Sequence, residues 1–573
     1  MPQFKPAVRL ALLDALLILL MAVLAACGLV YEYLLSHYAG RVLGAVEHAI
    51  FATIGLMIVA MGFGSFAARK IQHAITGFAW LEVLIGLIGS VAIIFIATCI
   101  SFSFYLPQII ADTFAIPPDA LPRGGFFEAS FQFARNLPYV LAAILGFFIG
   151  MEIPLIARVR EELHQQHLTH NAGTIYGADY IGAGIGAAIW ILWLMTIDIS
   201  QAAVITASVN WVAGLVVLVV FWSKIKAKMT LAGLHLLMLL AIIVLSFFGK
   251  QWMHNLTDML YRDNVVFQTQ SKYQQLVLTE RNLGPNFDSI VNLYLNGRLQ
   301  FSSQDEAIYH EFLVHPVLSA SARQEKVLVI GGGDSLAVRE ILKWQPKRID
   351  LVDLDNSVIE LFKQPEALLS PRLADKISGL TQGAFQHESL NIINADAFNQ
   401  VDTLISQQQT YDAIIVDLPD PNHPDLNKLY TNYFYLRLNQ LLSADGAIVV
   451  QSTSPYHAKD AFISIGKTLA DSQFSQVEQY HFNVPSFGEW GWTIATKQGM
   501  PASQRIKTAE LPGSLTWLTH DLIHASFQFP KNYYQDYADI KINYLGSQVL
   551  YQYHDQAWRI REGKLVELTQ DKN

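Results

Sequence analysis

Five aspartates in the second half of this chain stand at or just beyond the ends of short apolar runs, where a folded chain can present them to a ligand. Asp334 follows Gly331-Gly332-Gly333, and Asp353 closes Leu351-Val352. Asp396 lies in Asn394-Ala395-Asp396-Ala397, and Asp417 and Asp420 fall in Asp417-Leu418-Pro419-Asp420-Pro421. A glycine run lets the backbone turn sharply and approach a ligand closely, which makes Gly331 and Gly333 candidate cofactor-binding positions. An acid about twenty residues further on, at a strand end, suits a pair of ribose hydroxyls, and Asp353 stands there. Asp396 suits an adenine amino group or, equally, the N-cap of a helix. Asp334 is more selective. A carboxylate at that point repels the carboxylate of an amino-acid tail by ~4 kcal/mol at ~4 Å and an effective dielectric of ~20, whereas it attracts a tail carrying only an ammonium. Asp417 and Asp420, stiffened by prolines, form an anionic mouth for a diamine. Asp and Pro are also ordinary turn residues, but the acids around them favour the chemical reading. The set describes an enzyme that grips a charged adenosine cofactor beside a polycationic amine.

Such residues need a scaffold that gathers strand ends. Residues 326–330, 349–354, 390–393, 412–417 and 447–451 read as strands, with helices over 335–344 and 357–363 between them. This alternation predicts a parallel sheet with helices on both faces, and ligands of such sheets bind at the carboxyl ends of the strands. Upstream, 265–267, 273–278, 290–295 and 298–302 read as strands, and Asn296-Gly297 between the last two is a hairpin signal. The expected organisation is a small antiparallel β domain over 264–303 and an α/β Rossmann-like domain of the S-adenosylmethionine-methyltransferase type over 304–500. A C-terminal extension, 501–573, is rich in Tyr and Gln and is expected to pack or to act as a lid.

The first 250 residues are of another kind. The chain is 52% hydrophobic and only 15% charged, against ~25% charged in soluble domains, and most of that deficit lies here. Seven apolar stretches, at 10–30, 46–67, 78–100, 138–157, 174–196, 201–222 and 230–249, are long enough to cross ~30 Å of hydrocarbon as helices. They predict an all-α transmembrane bundle, multi-pass in the cell (inner) membrane. Lys5, Arg9, Arg69, Lys70, Arg158, Arg160, Lys224, Lys226 and Lys228 fall on one side, and Arg41, Arg123 and Arg135 on the other. That bias puts the N-terminus in the cytoplasm. An odd number of spans then puts the C-terminal half on the opposite face, at odds with a cofactor made in the cytosol. Lys5, Arg9 and the run ending Leu24-Ala25-Ala26-Cys27 have the form of a lipoprotein signal, but the run continues unbroken to Tyr31, so a retained first span is the plainer reading.

Other features of this half are mostly structural. Gly182, Gly184 and Gly186 lie inside a span and are read as helix-packing positions. His164, His167 and His170 are read as a polar loop in preference to a metal site. Glu32, Glu47, His48, Glu82, Glu152 and Asp179 lie in or near spans, where ionisable groups are expensive and often functional. Any that are central could hold a polyamine cation. The only cysteines, Cys27 and Cys99, sit in apolar runs and suggest neither a disulfide framework nor a thiolate metal site. A net charge of -9 argues against nucleic acid and suits cationic partners.

The order and spacing of the motifs over 264–500 resemble the polyamine aminopropyltransferases, or spermidine synthases, in their membrane-fused form. The resemblance rests on Tyr273-Gln274, the stretch from Leu293 to Ser303, Asp305-Glu306 with Tyr309-His310-Glu311, and the glycine and aspartate motifs above. It extends to Lys428-Leu429-Tyr430 and Phe434-Tyr435, and in the apolar half to Gly28-Leu29-Val30-Tyr31-Glu32 and Tyr176-Gly177-Ala178-Asp179-Tyr180.

The resemblance implies transfer of a 3-aminopropyl group from decarboxylated S-adenosylmethionine, a co-substrate and not a prosthetic group, to putrescine, giving spermidine and methylthioadenosine. Carried over by position, Gln274, Asp334, Asp353 and Asp396 hold the sulfonium compound. Tyr309, His310 and Asp420 hold the amine, Trp490 lines the amine channel, and Asp417 is the catalytic acid-base residue. A homodimer through the synthase domain is expected. A sulfonium is already a good leaving group, so the reaction calls for no metal. Ser335 stands where the family usually has glycine, and Asp353 where it usually has glutamate. Two other readings stay open: a methyltransferase using intact S-adenosylmethionine, which Asp334 and Asp420 count against, and a membrane sensor or transporter that binds polyamines without turnover.

Overall fold

The computed structural model describes residues 6–43, 46–115, 125–284 and 287–561. Lys5 and Arg123 lie outside the described residues, as do the side chains of Arg41, Glu47 and His48. The chain divides into two compact units, 1–272 and 273–573.

Sequences that are apolar on every face satisfy their backbone groups internally by forming helices. The first unit consists of α1 (Pro6–Leu43), α2 (Val46–Ala67), α3 (Ala74–Phe114), α4 (Phe126–His164), α5 (Asn171–Leu192), α6 (Ile199–Val220) and α7 (Lys228–Asp258), followed by β1 (Asn264–Gln270). Among the described residues, seven helices are long and apolar enough to cross a membrane. Several run well past the apolar stretch that marks them, because polar and aromatic residues at their ends continue the helix. Gly182 and Gly186 lie where α5 meets α1: a Cβ on Gly186 would come 2.6 Å from the Ala26 carbonyl oxygen. Of the three histidines, His164 at the end of α4 lies 3.3 Å from Asp14, His167 lies 2.8 Å from Glu161, and His170 is the N-cap residue of α5 without a side-chain capping bond.

The second unit opens with β2 (Gln275–Arg281), β3 (Ile290–Leu295) and β4 (Arg298–Ser302), paired antiparallel. Leu295 pairs with Arg298 across the turn, and Asn296 and Gly297 have φ of 50° and 76°. Two positive φ angles in a two-residue loop are the geometry that Asn-Gly selects.

The main sheet has seven strands: β5 (Lys326–Gly331), β6 (Arg348–Asp353), β7 (Leu390–Asn394), β8 (Tyr411–Asp417), β9 (Leu442–Gln451), β10 (Gln476–Val484) and β11 (Gly488–Thr496), in the order β10-β11-β9-β8-β5-β6-β7. The strands from β5 to β9 are parallel, and β11 and β10 add to β9 antiparallel. This antiparallel edge is absent from the sequence reading, because 476–496 mixes Glu, Gln, His and Asn with aromatic residues and shows no clean apolar alternation. Central strands are buried on both faces, as parallel sheets require. Val327 and Val329 of β5 enter one core with Phe312 and Trp492, while Leu328 and Ile330 enter the other with Phe434 and Tyr435.

The helices of this unit are α8 (Glu306–Ala320), α9 (Leu336–Leu342), α10 (Asn356–Lys363), α11 (Pro371–Thr381), α12 (Ala397–Ser406), α13 (Pro424–Asn427), α14 (Asn432–Leu441), α15 (Lys459–Ala470), α16 (Ala502–Arg505), α17 (His520–Ser526) and α18 (Val549–Arg561).

Candidate active site

Two neighbouring parallel strands, β5 and β8, end side by side, with Gly331 in register with Asp417. Gly331 and Gly332 adopt φ of +81° and +68°, in the left-handed region that favours glycine. A Cβ on Gly332 would stand 3.2 Å from Oδ2 of Asp417, and one on Gly333 would stand 2.9 Å from the carboxyl carbon of Asp353. The glycine run therefore leaves room for two carboxylates beside one backbone turn.

Around Asp417 the predicted residues come together. The Tyr309 hydroxyl donates to Asp417 Oδ1 at 2.7 Å. Burial pushes the Asp417 carboxyl up to about 6, with nearby Asp334 adding to the rise and His310 and the Tyr309 bond opposing it. His310 follows Tyr309 on α8, and its Nδ1 donates to the Glu306 carbonyl at 2.7 Å and to Glu306 Oε2 at 2.9 Å. Burial works against the charged imidazole, but Glu306, with Asp334 and Asp417 behind it, outweighs burial and raises the His310 pKa. Arg339 of α9 holds Glu306 in turn through bonds of 2.8 and 2.9 Å. Asp334 accepts from the Leu336 amide at 3.0 Å, which starts α9, and burial raises its pKa against the pull of His310.

The other predicted residues occupy the flanks. Asp353 accepts backbone N–H bonds on both oxygens, from Gly333 at 3.0 Å and Asp355 at 2.8 Å, and burial lifts it to about 7. Gln274 donates to Asp355 Oδ2 at 2.9 Å, one strand end with Asp353. Asp396 is the N-cap of α12, accepting from the Phe398 amide at 2.9 Å, while Lys428 reaches its second oxygen at 2.8 Å. Trp490 sits on β11 opposite Phe482. Its ring lies 5.0 Å from Phe487, which lies 6.0 Å from Tyr309. The Trp490 indole nitrogen is buried and has no hydrogen-bond partner among the described residues. Asp420 accepts from Gln451 Nε2 at 3.1 Å and meets His554 Nε2 at 3.1 Å.

Four side chains in this arrangement carry no role in the sequence reading. Glu306 and Arg339 orient His310, and Glu306 was findable, since Glu and His at i and i+4 on a helix are neighbours. Gln451 closes β9 beside Asp420. His554, 1% exposed on α18, brings the C-terminal extension to the acids, and no local pattern could show a relation spanning 134 residues.

Carboxylates and aromatic rings gathered at the carboxyl ends of a mostly parallel sheet define a Rossmann-like domain with an acidic ligand site at its strand ends. The Spermine/spermidine synthase domain family matches residues 306–507. A polyamine aminopropyltransferase of Shewanella oneidensis is 54% identical over 551 residues, 96% of this chain and 96% of that protein. Another, of Oceanobacillus iheyensis, is 31% identical over 537 residues, 93% of this chain and 95% of that protein. Among solved structures, a spermidine synthase in complex with the transition state analogue AdoDATO is similar at a TM-score of 0.40 and 24% identity, over 48% of this chain and 88% of that one. The chain belongs to the polyamine aminopropyltransferase family, and the likeness to its relatives runs through both units.

Proposed function

We propose that this chain makes spermidine: it transfers the 3-aminopropyl group of decarboxylated S-adenosylmethionine to putrescine and releases methylthioadenosine. The observation that carries this reading is the 2.7 Å bond between Tyr309 and Asp417, with His310 and Asp334 in electrostatic range.

The sulfonium compound lies along the glycine turn. Asp353 takes the ribose hydroxyls on lone pairs its two amide donors leave free, and Asp396 takes the adenine amino group. Asp334 faces the aminopropyl ammonium, with Gln274 closing the ribose side. Putrescine enters between Trp490 and Asp420, its far ammonium on Asp420 and its near nitrogen between Tyr309, His310 and Asp417.

A free alkylammonium has a pKa near ~10.4, so presenting it neutral at pH 7 costs about 4 to 5 kcal/mol. Asp417 offsets this by accepting the proton at Oδ2 while Tyr309 holds Oδ1. The amine nitrogen attacks the propyl carbon bound to sulfur, the C–S electron pair returns to sulfur, and the leaving group departs as a neutral thioether. Holding both reactants in line supplies much of the remaining advantage.

The proposal includes a multi-pass placement of α1 to α7 in the cell membrane and a homodimer through the second unit, tested by membrane fractionation and by light scattering in detergent. Product analysis tests the reaction. Full-length protein given the decarboxylated compound and putrescine should yield spermidine and methylthioadenosine, and a methylated amine from intact S-adenosylmethionine would overturn the reading.

A further inference from the structure

One buried charge of the helix bundle is paired. Arg160 of α4 meets both oxygens of Asp14 at 2.7 and 2.9 Å and the side-chain oxygen of Asn171 at 2.8 Å. A second buried polar cluster is built differently. Tyr31 of α1, Glu82 of α3, Glu152 of α4, Asn210 of α6 and His235 of α7 are each 3% exposed or less. Asn210 Nδ2 donates to Glu82 Oε2 at 3.2 Å. The Tyr31 hydroxyl, Glu82 Oε1, Asn210 Oδ1 and both ring nitrogens of His235 find no hydrogen-bond partner among the described residues.

These groups converge. Gly214 of α6 lets the helices close on them: a Cβ there would stand 3.0 Å from His235 Cε1 and 3.3 Å from Glu82 Cβ. Glu152 is within electrostatic range of Glu82, and Tyr31 is within range of both.

The cluster is rich in acceptors: two carboxyl groups, an amide oxygen and an imidazole. No lysine or arginine stands among these five residues. Buried polar groups normally find partners, and an acid inside an apolar bundle without a counter-charge is expensive. A proton on Glu82 gives one O–H that the asparagine oxygen can accept, but it leaves the imidazole unmet and Glu152 without a counter-charge, and an alkali cation prefers oxygen and gains little from a histidine. An ammonium supplies positive charge and three N–H donors together, and its alkyl chain suits apolar helices.

We propose that the seven-helix unit holds a non-catalytic site for a protonated alkylamine, with Glu82 and Glu152 as counter-charges and Asn210, His235 and Tyr31 as hydrogen-bonding partners. The choice of an alkylamine rests partly on the proposed reaction, whose acceptor and product are such ions; the geometry of the cluster does not.

Radiolabelled spermidine binding to the full-length protein in lipid nanodiscs tests this. In an Asp334→Asn/Asp417→Asn/Asp420→Asn background, one spermidine should still bind per chain. Adding Glu82→Gln or Asn210→Leu should weaken that binding at least tenfold, while Glu82→Asp should retain most of it and so control for folding. Glu82→Gln alone should leave turnover within twofold of the unaltered protein. Loss of all binding in the triple-aspartate background, affinity unmoved by Glu82→Gln, or bound sodium-22 that spermidine fails to displace would each overturn the inference. Binding that follows these expectations in a protein without aminopropyl transfer would count against the reaction and leave this site standing.

Discussion

The Tyr309 hydroxyl on α8 donates a 2.7 Å hydrogen bond to Asp417 Oδ1 at the end of β8, across 108 residues of chain. Burial first, then the Asp417 charge, holds the tyrosine's pKa well above its ordinary value, so it remains a donor at any working pH. Tyr309→Phe removes a hydrogen bond to a charged group, worth about 1.5 to 3 kcal/mol, and should lower kcat by about 10- to 100-fold. Steady-state kinetics should show the KM for the sulfonium donor within threefold of its starting value.

The acid limb of the pH profile should belong to Asp417. The carboxylate must be ionised to accept a proton, and its pKa lies at about 6 against an ordinary 3.8. The kcat/KM should therefore fall tenfold per pH unit below about 6. The stability effect has the opposite sense. The native state holds this proton more tightly than the unfolded state, so the stabilisation is complete below pH 3.8 and is lost as pH rises through about 6. In thermal scans Asp417→Asn should gain on the unaltered protein as pH rises from 4 to 7.

Donor choice should depend on Asp334. Repulsion between two carboxylates at ~4 Å is ~4 kcal/mol at an effective dielectric of ~20, and Asp334→Asn removes it. Intact S-adenosylmethionine should then inhibit at least tenfold more tightly, measured as its Ki against the decarboxylated donor.

The parts of this molecule governed by local rules were legible in its sequence. Asn296-Gly297 specified its hairpin, all-apolar runs specified helices, and alternation from 326 to 451 placed five parallel strands, four of them with aspartates at or just beyond their ends. The relations that depend on distant chain were not. The β10–β11 edge carries too many polar residues for a period to show, although it presents Trp490. Ser486 in its turn donates to both oxygens of Asp305, at 2.6 and 2.9 Å. For Asp396 the sequence left a cap and an adenine contact equally open, and the cap geometry is present. The C-terminal extension offered only composition, yet it delivers His554.

His554→Phe should act on the acceptor alone. It removes from a fully buried ring both a 3.1 Å contact to Asp420 and the acceptor of the Trp558 indole N–H at 3.0 Å, and losing this support of Asp420 should raise the putrescine KM about 10-fold. The donor KM should stay within twofold. Equal changes in both would assign His554 a purely structural part.

Ser335 pays for standing where the family usually has glycine. It holds φ +64° at the N-cap of α9, and its buried hydroxyl has no partner among the described residues. The left-handed backbone costs about 1 kcal/mol or more and the buried hydroxyl about as much, against roughly 0.5 to 1 kcal/mol of added chain entropy for glycine. Ser335→Gly should raise the thermal midpoint of the second unit's transition.

The most direct test of the account is methylthioadenosine release by full-length protein and by Asp417→Asn, with saturating decarboxylated S-adenosylmethionine and putrescine. General-base catalysis is worth about 10²- to 10⁴-fold, so the variant should lose at least a hundredfold in kcat while still binding the donor. Release from Asp417→Asn at a rate near that of the unaltered protein would contradict the role given to Asp417 and, with it, the mechanism built around the Tyr309–Asp417 pair.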